Sequence, residues 1–270
     1  MLLYIIMLYL LYDNKFLYDV IDSVLYVLMY YNIKCELVDE INDDDRMYII
    51  FTINKIEKLP KNFIVYNFEQ LVTERVWNKS FFNKCSKAKF ILDYSLENIK
   101  IFNNNGLEAV HFAYGWTPFH EYNGLTLNKD IDIIFLGSRS ERRDRILSSY
   151  GRGIYYKDSI FGEKYDDIVS RSKVSLNIHN YNGRSILEVT RIVPLVSRGV
   201  LVVSERSDDK YYDDKMEGII IYIDNLDKLD LSELKSIYSK EKCIRRKGLL
   251  VERLNMVELN KDKINIFKYI

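Results

Sequence analysis

Three arginines crowd the start of a predicted helix in the segment FLGSRSERRDR, residues 135–145. The segment follows a strand-like run, so Gly137 allows a close turn, and the free N–H groups of the helix start point at that turn. Cations there oppose the helix dipole, at roughly 0.3–1 kcal/mol each, and a bound phosphate would reverse that cost. The alternative is an exposed basic turn, screened by acidic residues of the same helix. The arginines are Arg139, Arg142 and Arg143.

A second polar loop, NIHNYNGRS, also follows a strand-like run and precedes a helix. Gly183 lets the chain turn, and the guanidinium of Arg184 can bind two pyrophosphate oxygens at once. His179 has no second histidine or glutamate at a metal-ligand spacing, so no metal site is indicated. Two interpretations of His179 stay open, a hydrogen-bonded structural residue and a residue beside a ligand.

Glu188 lies three residues after Ser185, which is the Ser-x-x-Glu spacing of a capping box. A capping box would bind the carboxylate to a backbone N–H at the helix start. The same position would also place a carboxylate in the first turn, able to accept hydrogen bonds from a ribose diol. Pro194 lies further along and lacks the N–H that a helix needs. The sequence therefore predicts two short helical pieces, Ser185 to Arg191 and Pro194 to Arg198.

The elements that must position these loops alternate between two kinds of segment. KFLYDVIDSVLYVLMYYN has helical spacing of its apolar residues, whereas MYIIFTI and NFIVYNF are short and continuously apolar. Continuous hydrophobicity is typical of strands covered on both faces. Alternating strands and helices predict right-handed βαβ units, parallel sheets and an α/β fold. In such sheets ligands bind beyond the carboxyl ends of the strands, where both polar loops fall.

The alternating pattern stops once and then restarts. WTPFHEYNGLTLNK, residues 116–129, has little periodicity and is predicted to be a linker. The sequence therefore predicts an N-terminal domain over residues 1–115 and a C-terminal domain over residues 130–270, with a cleft between them. The apolar amino terminus ends at Asp13, short of the ~20 residues of a membrane span, and it lacks the basic start of a signal peptide. It is predicted to be a buried first strand.

Composition narrows the class of protein. Lysine plus arginine equals aspartate plus glutamate, at 39 each, so the charge gives no support for a protein that coats nucleic acid. The three cysteines form no CxxC pair, which favours a reducing, cytoplasmic setting over a disulfide framework or a cysteine–zinc site. Neither GxGxxG nor GxxxxGK[ST] occurs, so no dinucleotide or P-loop site is signalled.

Five segments of the chain resemble GT-B-type glycosyltransferases. They are FLGSRSERRDRIL, LNIHNYNGRSILEVTRIVPLVSRGVLVVSE, VYNFEQL, DYSLENIKIF and HFAYGW. The resemblance is to the family 1 and spore-protein-like transferases of bacteria and large DNA viruses, and it spans residues 64–205. It implies an α/β, GT-B-like fold, with two Rossmann-like domains whose parallel sheets face a central cleft. It also implies a nucleotide-diphosphate sugar donor on the second domain and a glycan, protein or small-molecule acceptor on the first. Catalysis would use no metal and no other cofactor.

Together with the two loops above, the resemblance predicts a donor site. Ser138 and its neighbours would lie by the phosphates, Arg184 would help to neutralise them, and Glu188 would face the ribose. Ser204 and Glu205, at the end of the strand VLVVSE, would border the same pocket. The predicted donor-binding residues are Gly137, Ser138, Arg139, Arg142, His179, Arg184, Glu188, Ser204 and Glu205.

One departure from the resemblance matters. Many retaining GT-B enzymes carry two glutamates eight positions apart, but Asn180 stands eight positions before Glu188. The stereochemical outcome therefore stays open, and a catalytically silent nucleotide-sugar-binding protein is a first alternative. A nucleic-acid-binding or interaction module that uses the carboxyl-terminal CIRRK is a second alternative.

A transferase that deprotonates an acceptor hydroxyl needs a base within hydrogen-bond reach of it. Glu69, which follows a strand in YNFEQL, is predicted to be that base. The alternative for Glu69 is a carboxylate at a helix start, where the helix dipole favours it. Asp93 follows the next strand, and its alternative is to cap the helix that begins near Ser95.

Overall fold

The computed structural model describes residues 7–11, 17–42, 45–72, 79–121 and 128–268. The chain divides into two compact units. Unit 1 comprises Met1–Thr117 and Met256–Ile270, and unit 2 comprises Pro118–Asn255. The first boundary falls inside the predicted linker. The division differs from the predicted C-terminal domain of residues 130–270, because the last residues group with unit 1.

Unit 1 is built on a six-stranded parallel sheet with the strand order β2-β1-β3-β4-β5-β6. Its strands are β1 (Leu8–Leu11), β2 (Cys35–Val38), β3 (Met47–Ile50), β4 (Asn62–Asn67), β5 (Ile91–Asp93) and β6 (Val110–His111). Its helices are α1 (Tyr18–Tyr30), α2 (Lys79–Cys85), α3 (Leu96–Asn104) and the carboxyl-terminal α10 (Met256–Asn260).

Unit 2 is built on a five-stranded parallel sheet with the strand order β11-β10-β9-β7-β8. Its strands are β7 (Ile131–Leu136), β8 (Tyr155–Lys157), β9 (Ser172–Asn177), β10 (Leu201–Ser204) and β11 (Ile221–Tyr222). Its helices are α4 (Glu141–Ser149), α5 (Glu163–Ser170), α6 (Val189–Ser197), α7 (Lys210–Met216), α8 (Leu231–Ile237) and α9 (Lys240–Leu254). The predicted α/β class with parallel sheets is confirmed.

The continuously apolar runs form the buried strands, as their pattern predicts. Every residue of β3 and of β10 is buried, as are three of the four residues of β1. Full burial of each large aliphatic or aromatic side chain contributes about 1.5–3 kcal/mol, so these strands supply much of the stability of each unit. Among the described residues, no helix is long and apolar enough to cross a membrane.

The carboxyl-terminal segment is tied to unit 1 by the side chain of Asn260, which is fully buried. Its Oδ1 accepts from the backbone N–H of Ala113 at 2.8 Å, and its Nδ2 donates to the carbonyl of Ala113 at 2.8 Å. The backbone N–H of Met256 also donates to the carbonyl of Trp116 at 2.9 Å. These bonds satisfy the peptide groups of Ala113 and the carbonyl of Trp116, which lie beyond the paired residues of β6.

The segment around Pro194 differs from its prediction. Helix α6 is one continuous helix that begins at Val189 and contains Pro194, so the prediction of two helical pieces is wrong. Residues 185–188 precede the helix, and the backbone N–H of Ser185 donates to Asp208 at 2.7 Å. The predicted capping box is also wrong, because Glu188 is itself the N-cap residue and its side chain makes no capping bond. The carboxylate is therefore directed elsewhere.

Candidate functional site

The carboxyl ends of the central strands of unit 2 carry the polar loops singled out by the sequence. The last residues of β9 and β10 are paired in register, Asn177 with Ser204, and β7 is the other neighbour of β9. Because parallel strands end at the same edge of a sheet, the residues that follow these strands meet there. Both end residues are fully buried, and Asn177 Nδ2 donates to Ser204 Oγ at 2.9 Å.

The carboxylate of Glu188 lies at the centre of this edge, and its side chain is only 10% exposed. Its Oε2 accepts from Asn177 Nδ2 at 2.9 Å and lies 2.8 Å from His179 Nδ1. Its Oε1 lies 3.7 Å from Nη2 of Arg143. Arg191, the third residue of α6, completes the group by donating to Asn177 Oδ1 at 3.1 Å. We call these five residues the Glu188 cluster.

His179 is held as a cation by geometry. Its Nδ1 faces the Glu188 carboxylate, and its Nε2 faces the carbonyl oxygen of Arg206 at 3.1 Å. Both partners only accept hydrogen bonds, so both ring nitrogens must donate, which requires the protonated imidazole. Burial alone would lower the pKa of His179, but the charge and hydrogen bond of Glu188, together with Glu205 and the carbonyl of Arg206, raise it above the usual value.

Glu188 is correspondingly held as an anion. Burial alone would raise the pKa of its carboxyl, but the charge and hydrogen bond of His179, with the charges of Arg191 and Arg143, lower it to about 2. A buried charge is tolerated when it is paired and hydrogen-bonded. The cluster therefore keeps a fixed carboxylate at the end of β9 throughout the physiological pH range.

Arg143 supports the cluster from helix α4 and is almost fully buried. Its Nε donates to the carbonyl of Ile178 at 2.9 Å, and its Nη1 donates to the carbonyl and hydroxyl of Ser138 at 3.0 and 3.1 Å. Burial lowers the pKa of Arg143 to about 10, which leaves it charged at neutral pH. Arg143 thus joins the loop after β7 to the loop after β9.

Gly137 is required by the close approach of Arg191. A Cβ atom at position 137 would lie 3.2 Å from Arg191 Nη2 and 3.2 Å from Cζ of Phe135. Both guanidinium groups of the cluster also lie by the Phe135 ring, with Arg143 at 5.3 Å and Arg191 at 5.6 Å from its centroid. The glycine therefore makes room for a packed cation.

Arg142 and Glu205 form a second buried pair beside the cluster. Arg142 Nη2 donates to Glu205 Oε1, and Arg142 Nη1 donates to the carbonyl of His179 at 3.0 Å. Both side chains are about one-seventh exposed, at 14% and 15%. Arg142 thus fixes the loop after β9 against the residue that follows β10.

Two predicted phosphate-binding arginines lie on the outer surface of these loops. Arg139 is 67% exposed and donates through Nε to Asp144 at 3.1 Å. Arg184 is 58% exposed, with Nε 4.0 Å from Asp208. Exposed ion pairs are worth at most about 1 kcal/mol, so both side chains can exchange these partners for a stronger anion.

The structure thus brings seven of the nine predicted donor-site residues into one network, in which Ser138 is exposed and the others are buried or partly buried. The other two, Arg139 and Arg184, are exposed beside it. Arg191 was missed by sequence reasoning, although its spacing of three residues from Glu188 places both in the first turn region of α6. The seven are Gly137, Ser138, Arg142, His179, Glu188, Ser204 and Glu205. Among the described residues, no group of three or more His, Cys, Asp or Glu side chains could hold a metal ion.

The predicted base, Glu69, lies in unit 1 in the loop after β4, and its backbone is fixed by buried side chains. Asn67 and Asn98 both donate through Nδ2 to the carbonyl of Glu69, at 3.0 and 2.8 Å. The fully buried carboxylate of Asp93 accepts from both asparagines and from the N–H of Ser95. Asp93 is therefore a structural anchor, while the half-buried Glu69 belongs to the loop that Asp93 holds.

Solved glycosyltransferase structures share this fold. AviGT4, a glycosyltransferase involved in avilamycin A biosynthesis, has a TM-score of 0.58 at 9% identity, over 97% of each chain. Anabaena HepE, solved in complex with UDP, has a TM-score of 0.55 at 8% identity, over 98% of this chain and 100% of its own. The DNA-modifying enzyme β-glucosyltransferase, solved with and without uridine diphosphoglucose, has a TM-score of 0.55 at 13% identity, with the same coverage. The protein has a GT-B-like α/β fold.

Relatives by sequence occur in Acanthamoeba polyphaga mimivirus. The uncharacterized protein L137 is 28% identical over 213 residues, which cover 75% of this chain and 29% of L137. The uncharacterized protein L140 is 28% identical over 188 residues, which cover 64% of this chain and 61% of L140. The chain thus spans less than two thirds of the length of these curated relatives. No protein-family profile matches the chain.

Proposed function

We propose that this protein is a glycosyltransferase that moves a sugar from a nucleotide-diphosphate sugar, bound by unit 2, to an acceptor. The observation that carries the proposal is the Glu188 cluster, a carboxylate fixed in its charged form at the carboxyl edge of the unit 2 sheet. The fold adds support, since solved structures that share it include glycosyltransferases in complex with UDP.

The charges of the site favour a diphosphate. The site holds four positive side chains and two carboxylates, which leaves two positive charges in excess. The cations are Arg142, Arg143, Arg191 and the protonated His179, and the carboxylates are Glu188 and Glu205. A diphosphate bridge carries about that charge with opposite sign, and buried charges interact more strongly than exposed ones. We place the phosphates along the loop of Gly137, Ser138 and Arg139, with Arg184 as a further partner.

Glu188 is the proposed ribose-binding residue. Its Oε2 is occupied by His179 and Asn177, whereas its Oε1 has no hydrogen-bond partner among the described residues. A ribose hydroxyl can donate to that oxygen. Ser204, which holds Asn177 in place, then acts through Asn177 rather than by touching the ligand.

For the acceptor step, we propose Glu69 as the general base that deprotonates the attacking hydroxyl, and we propose that transfer needs no bound metal. The acceptor is a glycan, a protein or a small molecule. We further propose a cytoplasmic location, which the three free cysteines favour.

A thermal-shift panel tests donor binding. UDP, GDP, TDP and their sugar conjugates are compared at millimolar concentration, without and with EDTA. A ligand at one hundred times its Kd stabilises by about 2.7 kcal/mol, which corresponds to a rise in Tm of several degrees. Arg139→Gln should weaken binding of the responding nucleotide, whereas Arg171→Gln, which removes an exposed arginine paired with Asp130, should not. No shift with any diphosphate would overturn the proposal.

A catalytically silent nucleotide-sugar-binding protein is the second candidate. Many retaining GT-B enzymes carry two glutamates eight positions apart, and in this chain the residue eight positions before Glu188 is the amide Asn180. Incubation with the stabilising donor and mixed acceptors separates the two functions. A transferase releases nucleoside diphosphate, and Glu69→Gln abolishes that release without changing donor affinity. A silent binding protein shows the thermal shift with no release.

A further inference from the structure

Three buried oxygen atoms near the Glu188 cluster accept no hydrogen bond from any described residue. They are Oε1 of Glu188, Oε2 of Glu205 and Oδ1 of Asn180. A buried acceptor left without a donor costs about 1–3 kcal/mol, so each such atom in a native structure calls for a reason. Here all three atoms are acceptors, and they belong to the Glu188 cluster, to the loop after β9 and to the Arg142–Glu205 pair.

One side chain joins Glu205 to the loop that carries Asn180. The guanidinium of Arg142 donates to the carbonyl of His179, which precedes Asn180 in the chain, and to Oε1 of Glu205. Arg142 therefore fixes Oε1 of Glu205, while Oε2 of Glu205 has no hydrogen-bond donor among the described residues. The side chain of Glu205 is only 15% exposed, so its orientation is set by this pair.

The donors of the same neighbourhood are already engaged. Arg143 donates to Ser138 and Ile178, and Arg191 donates to Asn177. His179 donates from both ring nitrogens. At the three oxygen atoms what is missing is a hydrogen-bond donor, so the part of a ligand that reaches them must carry O–H or N–H groups.

We propose that Glu205 is a specificity-determining residue for the transferred group, which is a neutral, hydroxyl-bearing sugar rather than an acidic one. This inference rests on the proposed function. A sugar hydroxyl donates to Oε2 of Glu205, with Asn180 Oδ1 as a second acceptor. The carboxylate of a uronic acid, ionised at neutral pH, brings only lone pairs and a like charge to the same place.

The expected selectivity follows from the worth of a hydrogen bond to a charged group. Such a bond contributes about 1.5–3 kcal/mol, which corresponds to roughly 10- to 100-fold in Kd. The wild type should therefore bind a neutral-sugar nucleotide at least about tenfold more tightly than its uronic-acid counterpart. Glu205→Gln removes the charge and supplies an N–H donor, so it should bring this ratio close to one.

Isothermal titration tests the proposal with two matched ligand pairs, UDP-glucose with UDP-glucuronate and GDP-mannose with GDP-mannuronate. UDP and GDP alone report donor binding without the sugar, and the Kd for the sugar nucleotide is compared with that reference within each variant. Glu217→Gln is the matched control, because Glu217 is 61% exposed and pairs with Arg206. The ratio of Kd values within one variant does not depend on that variant's stability.

The possible outcomes separate the two proposals. A preference for the neutral sugar that Glu205→Gln abolishes and Glu217→Gln retains supports the inference. Tight binding of a diphosphate with equal affinity for neutral and acidic sugars, or a preference unchanged in Glu205→Gln, overturns the inference and leaves the proposed function standing. No binding of any nucleotide overturns both.

Discussion

Replacing Glu188 by glutamine removes one charge from the centre of the unit 2 site while keeping the shape of the side chain. The amide oxygen can still accept from His179 and Asn177, but the amide NH₂ then faces Arg143, whose Nη2 lies 3.7 Å from Oε1 in the wild type. We expect Glu188→Gln to destabilise unit 2 because a protonated histidine and buried arginines lose their counter-charge.

The size of this effect can be worked out from the carboxyl group. Its pKa falls from an ordinary value of 4.5 to about 2 on folding, and this difference corresponds to about 3 kcal/mol of stability at pH 6. Because the folded pKa is the lower one, this stability is present above pH 4.5 and is lost as the pH falls toward 2. At pH 3 the contribution should be only about 1 kcal/mol.

Peptide-resolved hydrogen exchange over a series of urea concentrations measures unit 2 separately, through peptides that cover β9 and α6. The free-energy difference between wild type and Glu188→Gln should shrink by about 2 kcal/mol between pH 6 and pH 3. Glu217→Gln, at an exposed ion pair, should differ from wild type by less than about 1 kcal/mol at both pH values. If Glu188→Gln matches wild type at pH 6, or if the difference does not change with pH, the account of a paired buried carboxylate is refuted.

Further predictions concern neighbouring positions. The pKa of His179 in the folded protein lies above its ordinary value of 6.5. Its contribution to the stability of unit 2 should therefore be complete below pH 6.5 and should decline as the pH rises through the folded pKa. In thermal melts, His179→Gln should remove this decline of stability with pH. Gly137→Ala should push Arg191 aside and weaken nucleotide binding in titration calorimetry, with a stability loss of about 1 kcal/mol. Asp93→Asn should lower the free energy of unfolding of unit 1 by about 3 kcal/mol in urea titrations, because the amide NH₂ would face the N–H donors that the carboxylate accepts from. Glu69→Gln should change the free energy of unfolding by less than about 1 kcal/mol.

The α/β class and the location of the polar loops could be predicted from the sequence because both depend on local patterns. Continuous apolar runs such as MYII become buried strands, and the segments after them must lie at one edge of a parallel sheet. The role of Glu188 could not be predicted in this way. Ser-x-x-Glu is a local signal for a helix start, but contacts with His179 and Asn177 hold the carboxylate at the sheet edge, and the helix begins one residue after it.

Long-range pairings account for the other differences. Arg191 carries no motif, and its importance comes from packing against Gly137 and Phe135, which lie more than fifty positions earlier in the chain. The grouping of the carboxyl-terminal segment with unit 1 depends on Asn260 meeting Ala113 across 147 positions. No periodicity in a charged, helical segment indicates which sheet it will join.

Because Asn260 bonds Ala113, the two units acquire their last contributing residues in the reverse of the order in which their strands are synthesised. Unit 2 is complete once Asn255 has left the ribosome, whereas unit 1 still lacks a segment that satisfies its buried peptide groups. Domains fold as their chains become available, so the unit encoded second is the first able to reach its final state. Unit 1, although its strands are synthesised first, can form its bonds to Ala113 only after Asn260 has been synthesised.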